Sequence, residues 1–417
     1  MIAVEDKKIL RELAKQVRDI AAEQINSDRI KRIKDMHSLK PVRPPVWIDE
    51  IPWHEMDING ELSTHCQTEE ARNMEIDLRR VLYRWKHIQA DMVMEDTFYV
   101  PKSFTNSGIG IAIKEEIRST NTDNYIVSHH YEDQLDTEEK VEALKLPVIE
   151  AQPEKDKVNL ETASDVFDGI LPVKLRGYEF HHAPWDYIAM FRGVENCFMD
   201  MISEPELIHK TIEKFTEIGI ARVTQMEDQG LLDYNIQSIH CTPPYTNETP
   251  ASDYDGGKVR IKDVWFRGMA QLFASASPEM HEEFDLQYMR RMMDKFALSY
   301  YGCCEPLDKI IPYLKKIPNM RKIGVSPWAN VRSCAEQIGG SYVFARKPNP
   351  ANVARNFNRE VVEKEIAETI EVCLENKCPY EFVLKDISTV NNDPQNLINW
   401  TKTVADTIDR YYGKNEA

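Results

Sequence analysis

Phe296-Ala297-Leu298-Ser299-Tyr300-Tyr301-Gly302-Cys303-Cys304-Glu305 decides how the rest of this 417-residue chain is read. A short apolar run reads as a buried strand. Glycine breaks it and hands the chain to two thiols and a carboxylate. The same unit recurs along the sequence. Val46-Trp47-Ile48 runs into Asp49-Glu50, residues 88–94 into Glu95-Asp96, and residues 234–239 into His240-Cys241. His181-His182 read as another strand end. Ile323-Gly324-Val325 leads to Ser326, Tyr342-Val343-Phe344-Ala345 to Arg346-Lys347, and Glu381-Phe382-Val383-Leu384 to Lys385-Asp386.

Helical patterns lie between these runs. They cover residues 67–85, 307–315, 331–338 and 358–376. Ser203-Glu204-Pro205-Glu206 reads as an N-cap and acidic first turn, with Gly230 closing that helix. Ser277-Pro278-Glu279 and Asp393-Pro394 open two more. About eight strands alternating with helices imply parallel pairing through crossovers. The fold class is therefore α/β, a single eight-stranded (β/α) TIM barrel spanning residues 41–417. The competing open, doubly wound sheet calls for Gly-x-Gly-x-x-Gly, and Gly108-Ile109-Gly110 lacks the third glycine. Residues 1–40 form an N-terminal helical arm. Leu10, Leu13, Val17 and Ile20 recur at helical spacing over residues 6–35, and Pro41 to Pro45 stop it. Residues 105–160, dense in charge, read as a hairpin-bearing insertion.

Composition narrows the function. The chain is 42% hydrophobic and 29% charged, with a net charge of -17. Such acidity is wrong for a nucleic-acid surface, which neutralises phosphate with clustered Lys and Arg. It leaves room for a small anionic substrate, because a local field can oppose the net charge. No run approaches the roughly 20 apolar residues of a membrane span, and the first residues lack a signal-peptide apolar region. A cytoplasmic location is expected, where the eight cysteines would be thiols.

In such a barrel the reacting groups sit at the C-terminal ends of strands. Adjacent residues leaving a strand point to opposite faces, so one of Cys303 and Cys304 looks into the mouth. Thiolate, imidazole and carboxylate are the ligands zinc prefers. His240, Cys303, Cys304 and Glu305 are the candidate metal set, with plain packing of both thiols as the alternative. Candidate substrate-binding residues are Glu95, Asp96, His182, Trp185 and Arg346. Each has a structural alternative: a solvated loop for the carboxylates, loop hydrogen bonding for the histidine, core packing for the tryptophan, and a rim ion pair for the arginine.

Arg43-Pro44-Pro45-Val46-Trp47, Ser203-Glu204-Pro205-Glu206-Leu207, Ser277-Pro278-Glu279-Met280 with Glu283-Phe284, and the strand into Gly302-Cys303-Cys304 resemble the uroporphyrinogen decarboxylase superfamily over residues 40–412. The resemblance implies a (β/α)₈ barrel, and a homodimer as a common assembly. True decarboxylases carry arginines just after the first strand, where this chain has Ile48-Asp49-Glu50-Ile51-Pro52-Trp53. The likeness is to the corrinoid-dependent methyltransferase and demethylase branch. Of the His-x-Cys and further Cys found in members acting on coenzyme M, only a cysteine carries over. The resemblance implies a zinc-dependent transfer of a methyl group from a small, possibly methoxylated aromatic donor to a corrinoid. Glu305 or Asp386 would stabilise the departing group. Asp35-Met36-His37-Ser38-Leu39-Lys40 lacks the glycine of a corrinoid-binding Asp-x-His-x-x-Gly, so the corrinoid is expected on a separate partner protein. The alternative is a metal-independent decarboxylase or lyase acting on a small acid.

Overall fold

Six of the expected strands and one further segment hydrogen-bond into one parallel sheet of seven. Its order is Val46–Ile48, Tyr380–Leu384, Val343–Arg346, Met320–Val325, Leu298–Tyr301, Trp265–Gly268 and Phe180–His182. This computed structural model describes residues 2–88, 90–118, 128–355 and 357–413. Because every pair in the sheet is parallel, all seven C-terminal ends lie along one edge. Most of the strand positions are buried, as expected where helices cover one face and the interior fills the other. The arrangement is consistent with a TIM-like barrel.

Three strand assignments differ from the sequence reading. Residues 90–94 form no regular strand; Asp91 N donates to Val46 O at 2.8 Å, and Asp91 Oδ2 accepts from Val46 N. The regular strand nearby is Phe98–Pro101, which pairs in parallel with Val173–Arg176 as a separate two-stranded ladder. Residues 234–239 are irregular, with a single bridge between Ile239 and Thr242. In their place the sheet gains Trp265–Gly268, which Arg267 disguises in the sequence.

The arm consists of two helices, Val4–Ala21 and Gln24–His37. It breaks because Asn26 Nδ2 donates to Ile20 O at 2.8 Å, taking a carbonyl that a continuous helix would use. Ser203 is the last residue of helix Val194–Ser203, where its hydroxyl donates back to Met199 O; the following helix, Pro205–Asp228, starts at Glu204 without a side-chain cap. Ser277, Asn330 and Asn358 do cap their helices through their side chains. The expected helix over 307–315 is reduced to Ile311–Leu314, where Pro312 lacks the amide to extend it backwards. The insertion holds antiparallel pairs 104–106 with 149–151 and 115–118 with 128–131, and residues 119–127 of it lie outside the described residues. From Pro153 the chain is a regular helix to Phe167.

The largest core cluster joins the sheet to its covering helices, through residues such as Ile323, Phe344, Phe382, Ile366 and Trp400. A smaller cluster of Ile236, Ile239, Trp265, Leu298, Tyr300 and Ala345 packs the irregular segment against the sheet. That segment is anchored by polar contacts as well, since Trp265 Nε1 donates to Pro244 O at 3.1 Å. No helix among the described residues is long and apolar enough to cross a membrane.

Candidate active site

The strand Leu298–Tyr301 ends at Gly302, whose φ of 103° lies where a side chain is strained. A Cβ there would also collide with Leu307 Cδ1. Glycine therefore lets the chain turn sharply and places Cys303 beside two other strand ends. Glu305 fixes the turn. Its carboxylate accepts from Cys303 N at 2.8 Å and Ala270 N at 3.2 Å, and the side chain is buried.

Cys303 Sγ accepts from Lys385 Nζ at 2.9 Å and lies 3.5 Å from His240 Nε2 and 3.6 Å from Cys304 Sγ. Cys304 Sγ also lies 2.9 Å from Asp386 Oδ2, so its one S–H proton is shared between that carboxylate and the Cys303 sulfur. Lys385 also meets Asp386 Oδ1 at 3.1 Å and Glu50 Oε2 at 3.8 Å. Four residues around this centre hold positive φ without being glycine: Glu50, His240, Cys241 and Asp386. Each costs on the order of 1–3 kcal/mol, and such strain gathers where a site dictates geometry.

Beneath the thiol the interior is cationic. Arg267, Lys322, Lys347 and Lys385 are all buried. Lys322 is balanced by Glu381 at 2.8 Å, with Thr242 Oγ1 donating to the same carboxylate. Arg267 Nη2 and Lys347 Nζ instead donate to Gly302 O, at 3.0 and 3.1 Å. The hydrogen bond from Cys304, then His240 and the charges of Lys347 and Arg267, hold the Cys303 thiol well below its ordinary range against the cost of burial. The same bond and burial push the Cys304 thiol up. The pair is thus one thiolate beside one thiol. Against burial, Cys241 and Cys303 keep the Lys385 ammonium protonated above its usual range.

Three carboxyl groups near the mouth are pushed up to about 7, in each case chiefly by burial. They are Glu50, Glu179 and Asp186; for Asp186 the charges of Glu305 and Cys303 add to the effect. His181, its ring tilted against His240 with centroids 4.8 Å apart, is held down to about 2, first by burial and then by Arg267. His182, buried against Gly219, is held down to about 3, again first by burial. Both imidazoles are therefore neutral. They border a cavity of about 360 Å³ between the insertion, helix Pro184–Arg192 and helix Pro205–Asp228.

The sequence candidates divide accordingly. His240, Cys303, Cys304 and Asp386 come together. Glu305 is adjacent but spent on two backbone amides, so it is a clamp on the turn. His182 lines the cavity. Glu95 lies elsewhere, paired with Arg176 at 2.5 Å beneath Tyr99, and Asp96 is exposed beside Thr97. Trp185 is core: its Nε1 donates to Phe284 O at 3.0 Å and its ring packs on Phe273. Arg346 is buried against Ser326 O and Glu365, away from the thiol. Sequence reasoning did not single out Arg267, Asp186 or Arg222. Only Arg267 carried a signal, as a charge inside the apolar run Val264-Trp265-Phe266.

The donors are of the right types for zinc. In a tetrahedral site with the usual bond lengths, N···S and S···S edges are about 3.6–3.8 Å. The His240–Cys303 and Cys303–Cys304 spacings of 3.5 and 3.6 Å are close to those edges. Among the described residues, however, no three His, Cys, Asp or Glu side chains converge to hold a metal ion. The Lys385 ammonium also takes the sulfur that a dication would take. As arranged, the set does not fit a bound metal.

No protein-family model matches this sequence, and no curated protein does. Among solved structures, a methyltransferase from Methanosarcina mazei aligns over 92% of this chain and 99% of its own, with a TM-score of 0.48 and 12% identity. At that level the likeness carries no argument about chemistry.

Proposed function

We propose that this chain is a methyltransferase whose reacting centre is the Cys303-Cys304 turn, moving a methyl group from a small donor to a corrinoid carried by a separate protein. The observation that supports it is the Cys303 sulfur, which Lys385 Nζ meets at 2.9 Å and whose thiol is held well below its ordinary range, first by the hydrogen bond from Cys304. A thiolate is the form of cysteine that acts as nucleophile and metal ligand. Zinc belongs to the proposal through the family resemblance; no step is routed through it, because the donors do not close on a metal.

In the transfer, the bond from the donor's oxygen or nitrogen to its methyl carbon breaks, and the electron pair stays on the heteroatom. The methyl passes to the acceptor. The departing heteroatom needs a proton, and Asp186, pushed up to about 7, holds one near neutral pH. Glu305 and Gly302 keep the two sulfurs in place, and the apolar walls exclude water from the donor.

A second reading is favoured by one observation, the buried cations Arg267 and Lys347 under the mouth, which meet Gly302 O rather than a carboxylate. It is a metal-independent lyase or decarboxylase acting on a small acid. One experiment separates the two. The purified chain is given methoxyarenes, methylamines and small carboxylic acids, with and without a reduced corrinoid protein. Demethylated product formed only with the corrinoid supports methyl transfer. Carbon dioxide or cleavage products formed without it overturn that reading in favour of the second.

A further inference from the structure

The cavity bordered by His181 and His182 has a composition that specifies its ligand. Its walls are apolar, built by Ile109, Ile111, Phe191, Phe215 and Ile218. Arg222 is the one lining side chain with a permanent charge. Its guanidinium sits 5.1 Å over the Phe180 ring and reaches His181 O only at 3.3 Å. Among the described residues no carboxylate lies within ion-pair distance of it. A second polar atom at the same wall, His181 Nε2, is buried without a partner. Buried polar atoms are normally satisfied, so an orphan beside a cavity points to a missing partner.

We propose that this cavity binds a small molecule with an apolar, ring-sized body and a single carboxylate, held by Arg222, with a hydrogen-bonding group meeting His181 Nε2. A planar guanidinium matches a carboxylate through two parallel hydrogen bonds, and weak hydration of Arg lowers the cost of doing so against apolar walls. The volume of about 360 Å³ falls at the lower end of the range for small-molecule sites, roughly 300–1,000 Å³. The His181 ring lies tilted against His240, whose Nε2 is 3.5 Å from Cys303 Sγ, so a ligand that meets His181 is joined to the thiol through this pair of imidazoles. The inference rests on the methyl-transfer reading only in calling this ligand the substrate. Binding itself is measured without turnover.

The test is calorimetric titration of the full chain with benzoate, cyclohexanecarboxylate and the neutral isostere benzamide at neutral pH. Both carboxylates should bind more tightly than benzamide by about tenfold or more, the worth of a charge-assisted hydrogen bond. Arg222→Gln should bring benzoate down to the benzamide level and leave benzamide unchanged. Arg222→Lys should keep part of the preference. Ile111→Trp, which fills the cavity, should abolish binding of all three, with circular dichroism confirming the fold of each variant. Equal binding of benzoate and benzamide to the wild type, a preference that survives Arg222→Gln, or unaltered binding in Ile111→Trp would each overturn the proposal. If Arg222→Gln fails to fold, the lysine and tryptophan variants still decide it. Carboxylate binding without any methyl transfer would refute the functional reading and leave this site standing.

Discussion

Replacing Lys385 by methionine removes the cation nearest the Cys303 sulfur while keeping most of the side-chain volume. The two atoms are 2.9 Å apart and the lysine is buried. At an effective dielectric of 20, unit charges at that distance attract by about 6 kcal/mol, equivalent to about four units of thiol pKa. The hydrogen bond from Cys304 remains, as do the His240 contact and the charges of Lys347 and Arg267, so part of the hold survives. A rise of about two units or more in the Cys303 titration is therefore expected. The assay is ultraviolet thiolate absorbance against pH, taken as the difference between each protein and its Cys303→Ser counterpart. Stability gives a second readout. The folded thiol is depressed, so its contribution is complete above the unfolded thiol pKa of about 8.5 and is lost as pH falls toward the folded value. Denaturant unfolding should show the wild type losing its advantage over Cys303→Ser as acid is added. A wild-type Cys303 that titrates in the ordinary thiol range would refute the reasoning. So would a titration that Lys385→Met leaves unmoved.

Three further outcomes follow from the geometry. Glu381→Leu strands the buried Lys322 ammonium and should cost about 3–5 kcal/mol in urea unfolding, whereas a loss below about 1 kcal/mol would show that the pair contributes little. Gly302→Ala forces a side chain into φ 103° and against Leu307; a loss of about 2 kcal/mol or more in stability and of most activity is expected, and wild-type behaviour would contradict the role given to the turn. Asp186 is protonated only below about 7, so methyl transfer from donors that need a proton should fall as pH rises through that value. Asp186→Asn should remove that alkaline limb from the rate profile; an unchanged limb would assign the proton to Glu50 or Glu179.

Much of the fold was legible because parallel strands buried on both faces are written as near-continuous apolar runs. Val46–Ile48 is such a run, and Leu298–Tyr301 and Tyr380–Leu384 are each interrupted by one polar residue, Ser299 and Glu381. Trp265–Gly268 was not legible, because Arg267 faces an interior that tolerates charge only through contacts invisible in sequence, such as Gly302 O. The opposite error occurred at 234–239. Those residues look like a strand, yet they serve as packing over the sheet's polar face, with Thr242 meeting Glu381 and Lys322. The site divided in the same way. Strand-end position found Cys303, Cys304 and Asp386, since the topology brings such ends to one edge, and it found His240 although 234–239 is no strand. It could not tell that Glu305 would turn inward to two amides, or that Arg346 would point away toward Glu365. Those outcomes depend on which face of a turn a side chain takes, and Gly302 decides that.

The central claim is that Cys303 is the group at which methyl transfer is organised. Single-turnover transfer of an isotopically labelled methyl group to a reduced corrinoid protein, compared between wild type and Cys303→Ser at matched fold and donor concentration, tests it most directly. The account predicts labelled methylcorrinoid with the wild type and a loss of about a hundredfold or more in rate with the variant, the scale of losing a principal catalytic group. Equal rates in the two proteins would contradict it.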